Sequence, residues 1–183
     1  NEVNAWYYEE LSEAFPKNER KPLADILCLR ENHQYEIWGL FLGVQMLGYA
    51  TIWKAADVPL VLLDYLGVTR ARRNEGLGSH ILSQLRLHKR PILTESELPL
   101  GGDASAENDI RRRRIAFYER NGFKPVYEMA TCGMRWQALL DNGAGYALSD
   151  IMLWHKALYG PSRTDVIIPL SQGEQPPLPY WIR

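Results

Sequence analysis

The apolar residues of this chain follow two spacings, and segments of the two kinds alternate along it. Alternating or near-continuous apolar runs predict β-strands, and apolar residues three and four apart predict amphipathic helices. The predicted strands cover residues 35–44, 47–54, 60–68, 91–97, 124–131, 134–140 and 151–158, and the predicted helices cover residues 7–15, 23–29, 76–88 and 110–121. A turn at residues 44–46 would join the first two strands into a hairpin. This order of elements predicts an α/β (α+β) fold.

Composition favours one compact domain over residues 1–183. Hydrophobic residues make up 46% of the chain and charged residues 23%, which supplies a sizeable core and argues against disorder. The formal net charge of −1 gives no overall attraction to nucleic acid or to an anionic membrane. No apolar run approaches the roughly 20 residues that span a bilayer, and we expect no signal peptide. Because Cys28 and Cys132 lie in apolar contexts without metal-ligand spacing, we expect reduced thiols in the core, no metal and a cytoplasmic protein.

The segment from residue 60 to residue 87 carries the strongest functional signal. A strand leads into a basic turn, then to Gly76 and Gly78, and then directly into a helix. Glycine permits a tight turn and a close approach of the backbone to a ligand. The first N–H groups of the helix lack helical partners and lie at the positive end of its dipole. The segment therefore predicts a phosphate site, with an ordinary strand-to-helix turn as the alternative.

Two common phosphate motifs do not match this segment. A P-loop requires Lys-Ser or Lys-Thr after its last glycine, and neither pair follows Gly78. A dinucleotide fingerprint requires a third glycine three residues after Gly78, where this chain has Ile81. Another class of phosphate ligand is therefore expected.

The pattern that does match is R-x-x-G-x-G, formed by Arg73, Gly76 and Gly78. A second motif follows about forty residues later, at residues 114–123, where a helix carries Tyr118 and a Gly-Phe pair then leads into a strand. Together the motifs resemble the acetyl-CoA pyrophosphate loop and the second conserved block of the GNAT superfamily, the acetyl-CoA-dependent N-acetyltransferases. The resemblance extends over about residues 5–135, and the last fifty residues match only as an expected pair of strands. It implies a mixed, mostly antiparallel central sheet flanked by helices, with a splayed central pair of strands.

The resemblance also implies acetyl-CoA as the co-substrate. Its pantetheine arm would pair with a bulged strand before the loop, and its pyrophosphate would lie on the loop and on the start of the helix. The cofactor-binding residues implied in this way are Leu66, Gly67, Val68, Arg73, Asn74, Glu75, Gly76, Leu77, Gly78 and Ser79. Arg111 joins this set, although the commoner family pattern has Asn seven residues before the Tyr. An arginine at that place would meet the 3′-phosphate of coenzyme A.

Acyl transfer from a thioester to an amine needs a base for the amine and an acid for the departing thiolate. The matching Tyr of the family is the acid, which implies that role for Tyr118. Asp64 is the first candidate base, because strand alternation places its carboxylate among apolar neighbours that would raise its pKa. Glu95, which lies one residue from Glu97 on one face of the next predicted strand, is the second candidate. Attraction of a cation, or structural pairing without proton transfer, is the alternative for these three acids.

The sequence thus predicts an N-acetyltransferase that moves an acetyl group from acetyl-CoA to an amine by direct attack in a ternary complex. A catalytically silent acyl-CoA-binding module of the same fold is the alternative, and the presence of Tyr118 together with Asp64 favours the enzyme. The expected acceptor is a small-molecule or peptide amine, and the acidic candidates favour a cationic one. Nucleic acid and membrane are not expected as partners, and a homodimer is left open.

Overall fold

The computed structural model describes residues 2–102 and 104–179. Its strands are β1 (Tyr35–Leu42), β2 (Gln45–Trp53), β3 (Val61–Val68), β4 (Ile92–Glu97), β5 (Lys124–Thr131) and β6 (Met134–Asp141). Its α-helices are α1 (Glu2–Ala5), α2 (Ser12–Ala14), α3 (Leu23–Glu31), α4 (Leu77–Arg86), α5 (Ala106–Arg120) and α6 (Leu148–Tyr159). A π-helical segment, Trp6–Leu11, joins α1 to α2, and short 3₁₀ helices cover Lys17–Glu19 and Arg70–Arg72.

The strands form a six-stranded sheet in the order β1-β2-β3-β4-β6-β5. The pairs β1–β2, β4–β6 and β5–β6 are antiparallel. The predicted mixed, mostly antiparallel sheet with flanking helices is therefore confirmed. The fold divides into two compact units, one formed by residues 1–56 and 63–88 and the other by residues 57–62 and 89–183. The prediction of a single domain stays a prediction.

The first unit contains the β1–β2 hairpin, most of β3, and α4. Gly43 lies in the turn between β1 and β2 with a φ of +60°, a conformation that glycine adopts without steric cost. The helix α4 buries Ile81, Leu82 and Leu85, which lie on one face because residues three and four apart in a helix are neighbours. This apolar face fixes the direction of the helix that follows the predicted phosphate loop.

The second unit contains the first two residues of β3, where the Val61 N–H donates to the Pro91 carbonyl, and the strands β4, β6 and β5. Its fully buried side chains include Leu93, Met129 and Leu139 from these strands. The helix α6 adds Ile151, which is also fully buried. The second unit therefore has an apolar core of its own.

Three predictions about local structure are wrong. Cys28 and Cys132 were expected in the core, but Cys28 is exposed and Cys132 is half-buried, because apolar neighbours in sequence do not decide which face a residue occupies. Residues 151–158 were expected to form a strand, but they lie within α6. The buried residues of α6 are Ile151, His155, Leu158 and Tyr159, a helical spacing in a segment rich in good helix formers. The hairpin turn lies at residues 43–44 and not at 44–46, because Gln45 already pairs with Leu42. A left-handed residue was needed there, and Gly43 provides it.

Candidate active site

The predicted phosphate loop has a backbone suited to an anion. Gly76 occupies the N-cap of α4 in the left-handed conformation, with φ +79° and ψ 2°. Asn74 is also left-handed, with a φ of +67°, a region where Asn is one of the few tolerated side chains. Residues 73–76 are exposed to solvent. The Arg73 side chain folds back so that its Nε–H donates to the Val68 carbonyl at 3.3 Å.

The first turn of α4 presents N–H groups that the helix itself cannot satisfy. Gly76 has no side chain with which to cap them, and the first helical bond in this turn runs from the His80 N–H to the Gly76 carbonyl at 3.0 Å. The N–H groups of Leu77, Gly78 and Ser79 precede that bond and point toward the loop side of the helix. The loop and this turn together can hold a phosphate oxygen by backbone donors.

The strand before the loop contains a feature that the sequence did not indicate. A Cβ at Gly67 would lie 2.3 Å from Cζ and 2.5 Å from the hydroxyl oxygen of Tyr49, so the phenol ring lies directly over this glycine. Tyr49 is 1% exposed, and its hydroxyl has no hydrogen-bond partner among the described residues. Burial raises the pKa of this phenol, so it is a neutral donor at physiological pH.

The contact between Gly67 and the Tyr49 ring is suited to a polar ligand arm that runs along the strand. The resemblance implies such an arm for acetyl-CoA. A buried hydroxyl without a partner is costly in the free protein, and a carbonyl or amide of such an arm would satisfy it. The sequence pointed to this feature only indirectly, because a glycine at position 67 in an apolar strand predicts a bulge or a close approach of the backbone to a ligand. Nothing in the sequence connected it with Tyr49.

Asp64 lies in an ion pair. The Lys21 ammonium donates to both of its carboxylate oxygens, at 2.7 and 2.8 Å, and the Tyr35 hydroxyl donates to Oδ2 at 2.5 Å. The side chains of Asp64 and Lys21 are only 9% and 18% exposed. Lys21 also lies 4.5 Å from the centre of the Trp53 ring. These contacts match the structural pairing that was the alternative for this residue, and the role of base stays a prediction.

Tyr118 lies on α5 with its ring edge-on to Phe117 and Phe123, at centroid distances of 5.3 and 5.4 Å. Burial raises the pKa of its phenol, while a hydrogen bond with Thr94 and the nearby Arg114 lower it in part. A hydrogen bond that lowers a phenol pKa is one that favours the ionised form. Burial outweighs these two contacts, so the pKa of Tyr118 is raised overall and the phenol is neutral, with its proton in place, at physiological pH.

Glu95 follows Thr94 in β4, so the two side chains point to opposite faces of the strand. Thr94 contacts Tyr118, and the Glu95 carboxylate instead binds His155 and Tyr159 of α6. The proposed proton donor and this proposed acceptor thus lie on opposite faces of one strand. Neither His155 nor Tyr159 was identified from the sequence. His155 lay in the predicted strand of residues 151–158, and Tyr159 lay just beyond it.

Arg111 and Glu97 form a second ion pair. Their side chains meet at 2.8 Å and are only 14% and 12% exposed. Arg111 also donates to Asn108 Oδ1 at 3.4 Å. The guanidinium is thus engaged within the protein, and its contact with the 3′-phosphate of coenzyme A stays a prediction.

Two further features bear on the class of protein. Within residues 2–102 and 104–179, no group of three or more His, Cys, Asp or Glu side chains could hold a metal ion. No helix in the described part of the chain has both the length and the apolar character to cross a membrane.

The fold and the loop define the class of protein: a mixed α/β domain with a glycine-bearing anion loop between a strand and a helix. The family model described as "Acetyltransferase (GNAT) domain" matches residues 33–125, about half of the chain. The protein belongs to the GNAT family of acetyltransferases.

Individual relatives agree with this assignment. YjbC of Bacillus subtilis strain 168, whose name marks it as a candidate acetyltransferase, is 29% identical over 136 residues, 74% of this chain and 64% of YjbC. The chain therefore spans less than two thirds of the length of that relative. A GNAT-family structure from Bacteroides thetaiotaomicron has a TM-score of 0.65 at 22% identity, covering 85% of this chain and 90% of its own. An aminoglycoside 6′-N-acetyltransferase solved with coenzyme A has a TM-score of 0.54 at 13% identity, with coverage of 76% and 87%.

Proposed function

We propose that the protein is an acetyl-CoA-dependent N-acetyltransferase in which an amine attacks the thioester directly, within a ternary complex. The observation that carries the proposal is the left-handed Gly76 followed by the uncapped first turn of α4, with Arg73 beside it. Membership in the GNAT family and the coenzyme A bound to a structural neighbour support the same ligand. A cytoplasmic location is part of the proposal, supported by the free thiols Cys28 and Cys132.

The proposed contacts with acetyl-CoA divide between the loop and the strand before it. The amides from Asn74 to Ser79 would hold the pyrophosphate, with the Arg73 guanidinium alongside. The backbone of residues 66–68 would pair with the pantetheine arm, and the buried Tyr49 hydroxyl over Gly67 would donate to a polar atom of that arm. Bound acetyl-CoA supplies the activated acetyl thioester. Arg111 is proposed as a contact of the 3′-phosphate that would first have to leave Glu97.

The chain's own residues would manage the two protons of the reaction. Because Tyr118 and Glu95 lie on opposite faces of β4, these roles require the thioester to lie at the edge of this strand, with its sulfur on the Tyr118 face and the amine on the Glu95 face. Tyr118 would give its phenolic proton to the departing thiolate, and the hydrogen bond with Thr94 would offset part of the rise that burial causes in the pKa of the phenol. Glu95 would take the proton of the amine on a carboxylate that His155 and Tyr159 of α6 hold in place. Asp64 is the alternative base, and it would have to give up Lys21 to act.

The proposed acceptor is a cationic amine, such as a polyamine, an aminoglycoside-like or a lysine-like amine. A cluster of acidic side chains at Glu9, Glu10 and Glu13 supports this choice. Burial raises the pKa of Glu10, and the neighbouring Glu13 and Glu9 raise it further. Only Arg73 opposes them among the groups that act on this carboxyl. Carboxylates that repel one another in this way attract an ammonium group.

Thiol release from acetyl-CoA, screened with a panel of primary amines, tests the proposal. Turnover with at least one amine is expected, whereas saturable acetyl-CoA binding without amine-dependent thiol release would indicate the silent binding module. Gly78→Asp should abolish acetyl-CoA binding, because it places a negative charge among the phosphate donors.

The fold should tolerate this change, since an acidic residue in the first turn favours a helix. Gly78→Asn, of the same size without the charge, is the matched control and should retain more affinity. Unchanged affinity in folded Gly78→Asp would refute the phosphate assignment.

A further inference from the structure

The carboxylate of Glu95 is held by two side chains of α6. The Tyr159 hydroxyl donates to Oε1 at 2.7 Å and to Oε2 at 2.8 Å, and His155 Nε2 lies 2.7 Å from Oε1. On the other side of the imidazole, the Tyr127 hydroxyl of β5 lies 3.0 Å from Nδ1. A chain of hydrogen bonds therefore runs from β5 through α6 to the acid on β4.

The side chains in this hydrogen-bonded network are polar and therefore costly to bury. His155 is fully buried, and Tyr127 and Tyr159 are each only 9% exposed. The Glu95 side chain is 13% exposed, so these partners hold it while it remains partly accessible to solvent. Apolar residues would fill the same space without the cost of removing these groups from water. An acid that is held by its partners and remains partly accessible is suited to meeting a ligand.

The short distances restrict the proton positions. An ionised Glu95 can face Nε2 at 2.7 Å only if that nitrogen carries a hydrogen. In neutral His155, Nδ1 is then an acceptor, and the Tyr127 hydroxyl is the donor that faces it. Tyr127 thus selects the tautomer that donates to Glu95. The other groups near the imidazole are Tyr159 and, 5.1 Å from the centre of the Tyr159 ring, the guanidinium of Arg163.

We infer that His155 and Tyr159 are positioning residues, which hold the Glu95 carboxylate in the place where it receives a proton from the acceptor amine. Tyr127 fixes the tautomer of His155 for that purpose. This inference rests on the proposed function and extends it to α6, a helix outside the part of the chain that matches the family model. When the amine attacks, its nitrogen electron pair forms the new bond to the acetyl carbon, and its N–H proton passes to a carboxylate oxygen of Glu95. The C–S bond of the thioester then breaks, and the departing thiolate takes the phenolic proton of Tyr118.

The test compares His155→Leu with His155→Gln, which keeps an N–H donor. Loss of the donor removes support from the ionised carboxylate, so the pKa of Glu95 should rise and the acidic limb of the pH–rate profile should move to higher pH. For His155→Leu we expect kcat to fall roughly ten- to hundredfold, with the affinity for acetyl-CoA unchanged. His155→Gln should recover part of both effects, and Tyr127→Phe should shift the profile in the same direction by less. Leu153→Gln, on the exposed face of α6, should change neither kcat nor the profile.

A direct readout separates this inference from the proposed function. A ¹³C NMR titration of the Glu95 carboxyl, in the protein without substrates, should give a higher midpoint in His155→Leu than in the wild type. An unchanged midpoint would overturn the inference. So would a His155→Leu substitution that lowers the rate of the Glu95→Gln variant by as large a factor as it lowers the rate of the wild type. A wild type that releases no thiol with any amine would instead refute the proposed function, and the raised midpoint would still establish that His155 controls Glu95.

Discussion

Gly67→Ala is the substitution whose cost follows most directly from the structure. The added Cβ would lie 2.3 Å from Cζ and 2.5 Å from Cε1 of Tyr49. Carbon atoms in contact prefer about 3.5–4.0 Å, so the ring would have to move by more than 1 Å. The ring has little room, because Tyr49 is 1% exposed and Trp6 packs edge-on against it at 5.6 Å.

Overpacking of this kind costs about 1–3 kcal/mol, and the tight enclosure of Tyr49 places Gly67→Ala toward the upper end. Urea unfolding followed by tryptophan fluorescence measures the loss directly. With a slope of about 1–3 kcal/mol/M, the midpoint should fall by roughly 1 M. Affinity for acetyl-CoA should fall as well, because the residues displaced are those proposed to contact the pantetheine arm.

A control variant and a double-mutant cycle test whether the contact with Tyr49 causes the loss of stability. Gly101→Ala is the matched control, since a Cβ there meets nothing within 4 Å and the residue is not left-handed. In a Tyr49→Leu background, Gly67→Ala should cost much less, which gives a coupling free energy of at least about 1 kcal/mol between the two sites. A stability loss below about 0.5 kcal/mol, or a loss that is the same in both backgrounds, would mean that the contact with Tyr49 does not govern this glycine.

The other predictions concern the proposed acid and two ion pairs. Tyr118→Phe removes the proton donor and keeps the ring, so turnover should fall by roughly 10²–10⁴-fold with little change in acetyl-CoA affinity; near-normal turnover would show that the thiolate leaves unaided. Asp64→Asn leaves the Lys21 ammonium half-paired in a largely buried place, so we expect a loss of about 2–4 kcal/mol in urea unfolding; a loss of turnover at unchanged stability would instead favour Asp64 as the base. Burial raises the pKa of the Asp165 carboxyl, but its hydrogen bonds and its ion pair with the Arg163 guanidinium lower that pKa overall. The pair therefore stabilises the fold fully above about pH 4, the pKa of an aspartate in the unfolded chain. This stabilisation is lost as the pH falls through the lowered pKa of the folded protein. Arg163→Met should therefore reduce stability at pH 7 and flatten its decline in acid, and an acid limb parallel to that of the wild type would argue against this coupling.

The sequence alone determined the glycine turn and helix start of the predicted phosphate loop, and the helix that carries Tyr118. These features are local: a left-handed N-cap requires Gly76 or a residue like it, and the first turn of any helix lacks partners for its N–H groups. The strands of the sheet could be predicted for the same reason, because alternating and continuous apolar runs reflect burial within a few neighbouring residues. The segment 151–158 was misinterpreted because a short apolar run fits a buried strand and a buried helix equally well.

Only the tertiary structure decided what the acids contact. Lys21 and Asp64 are 43 residues apart in sequence, and Glu95 and His155 are 60 apart, so no local spacing connects them. Asp64 looked like an unpaired acid among apolar neighbours, because its cation comes from the segment before α3. Glu95 looked like one of two similar acids, and α6 distinguished it from Glu97. Side-chain pairing across such distances is set by how elements pack, a property of the whole chain that residue patterns do not encode.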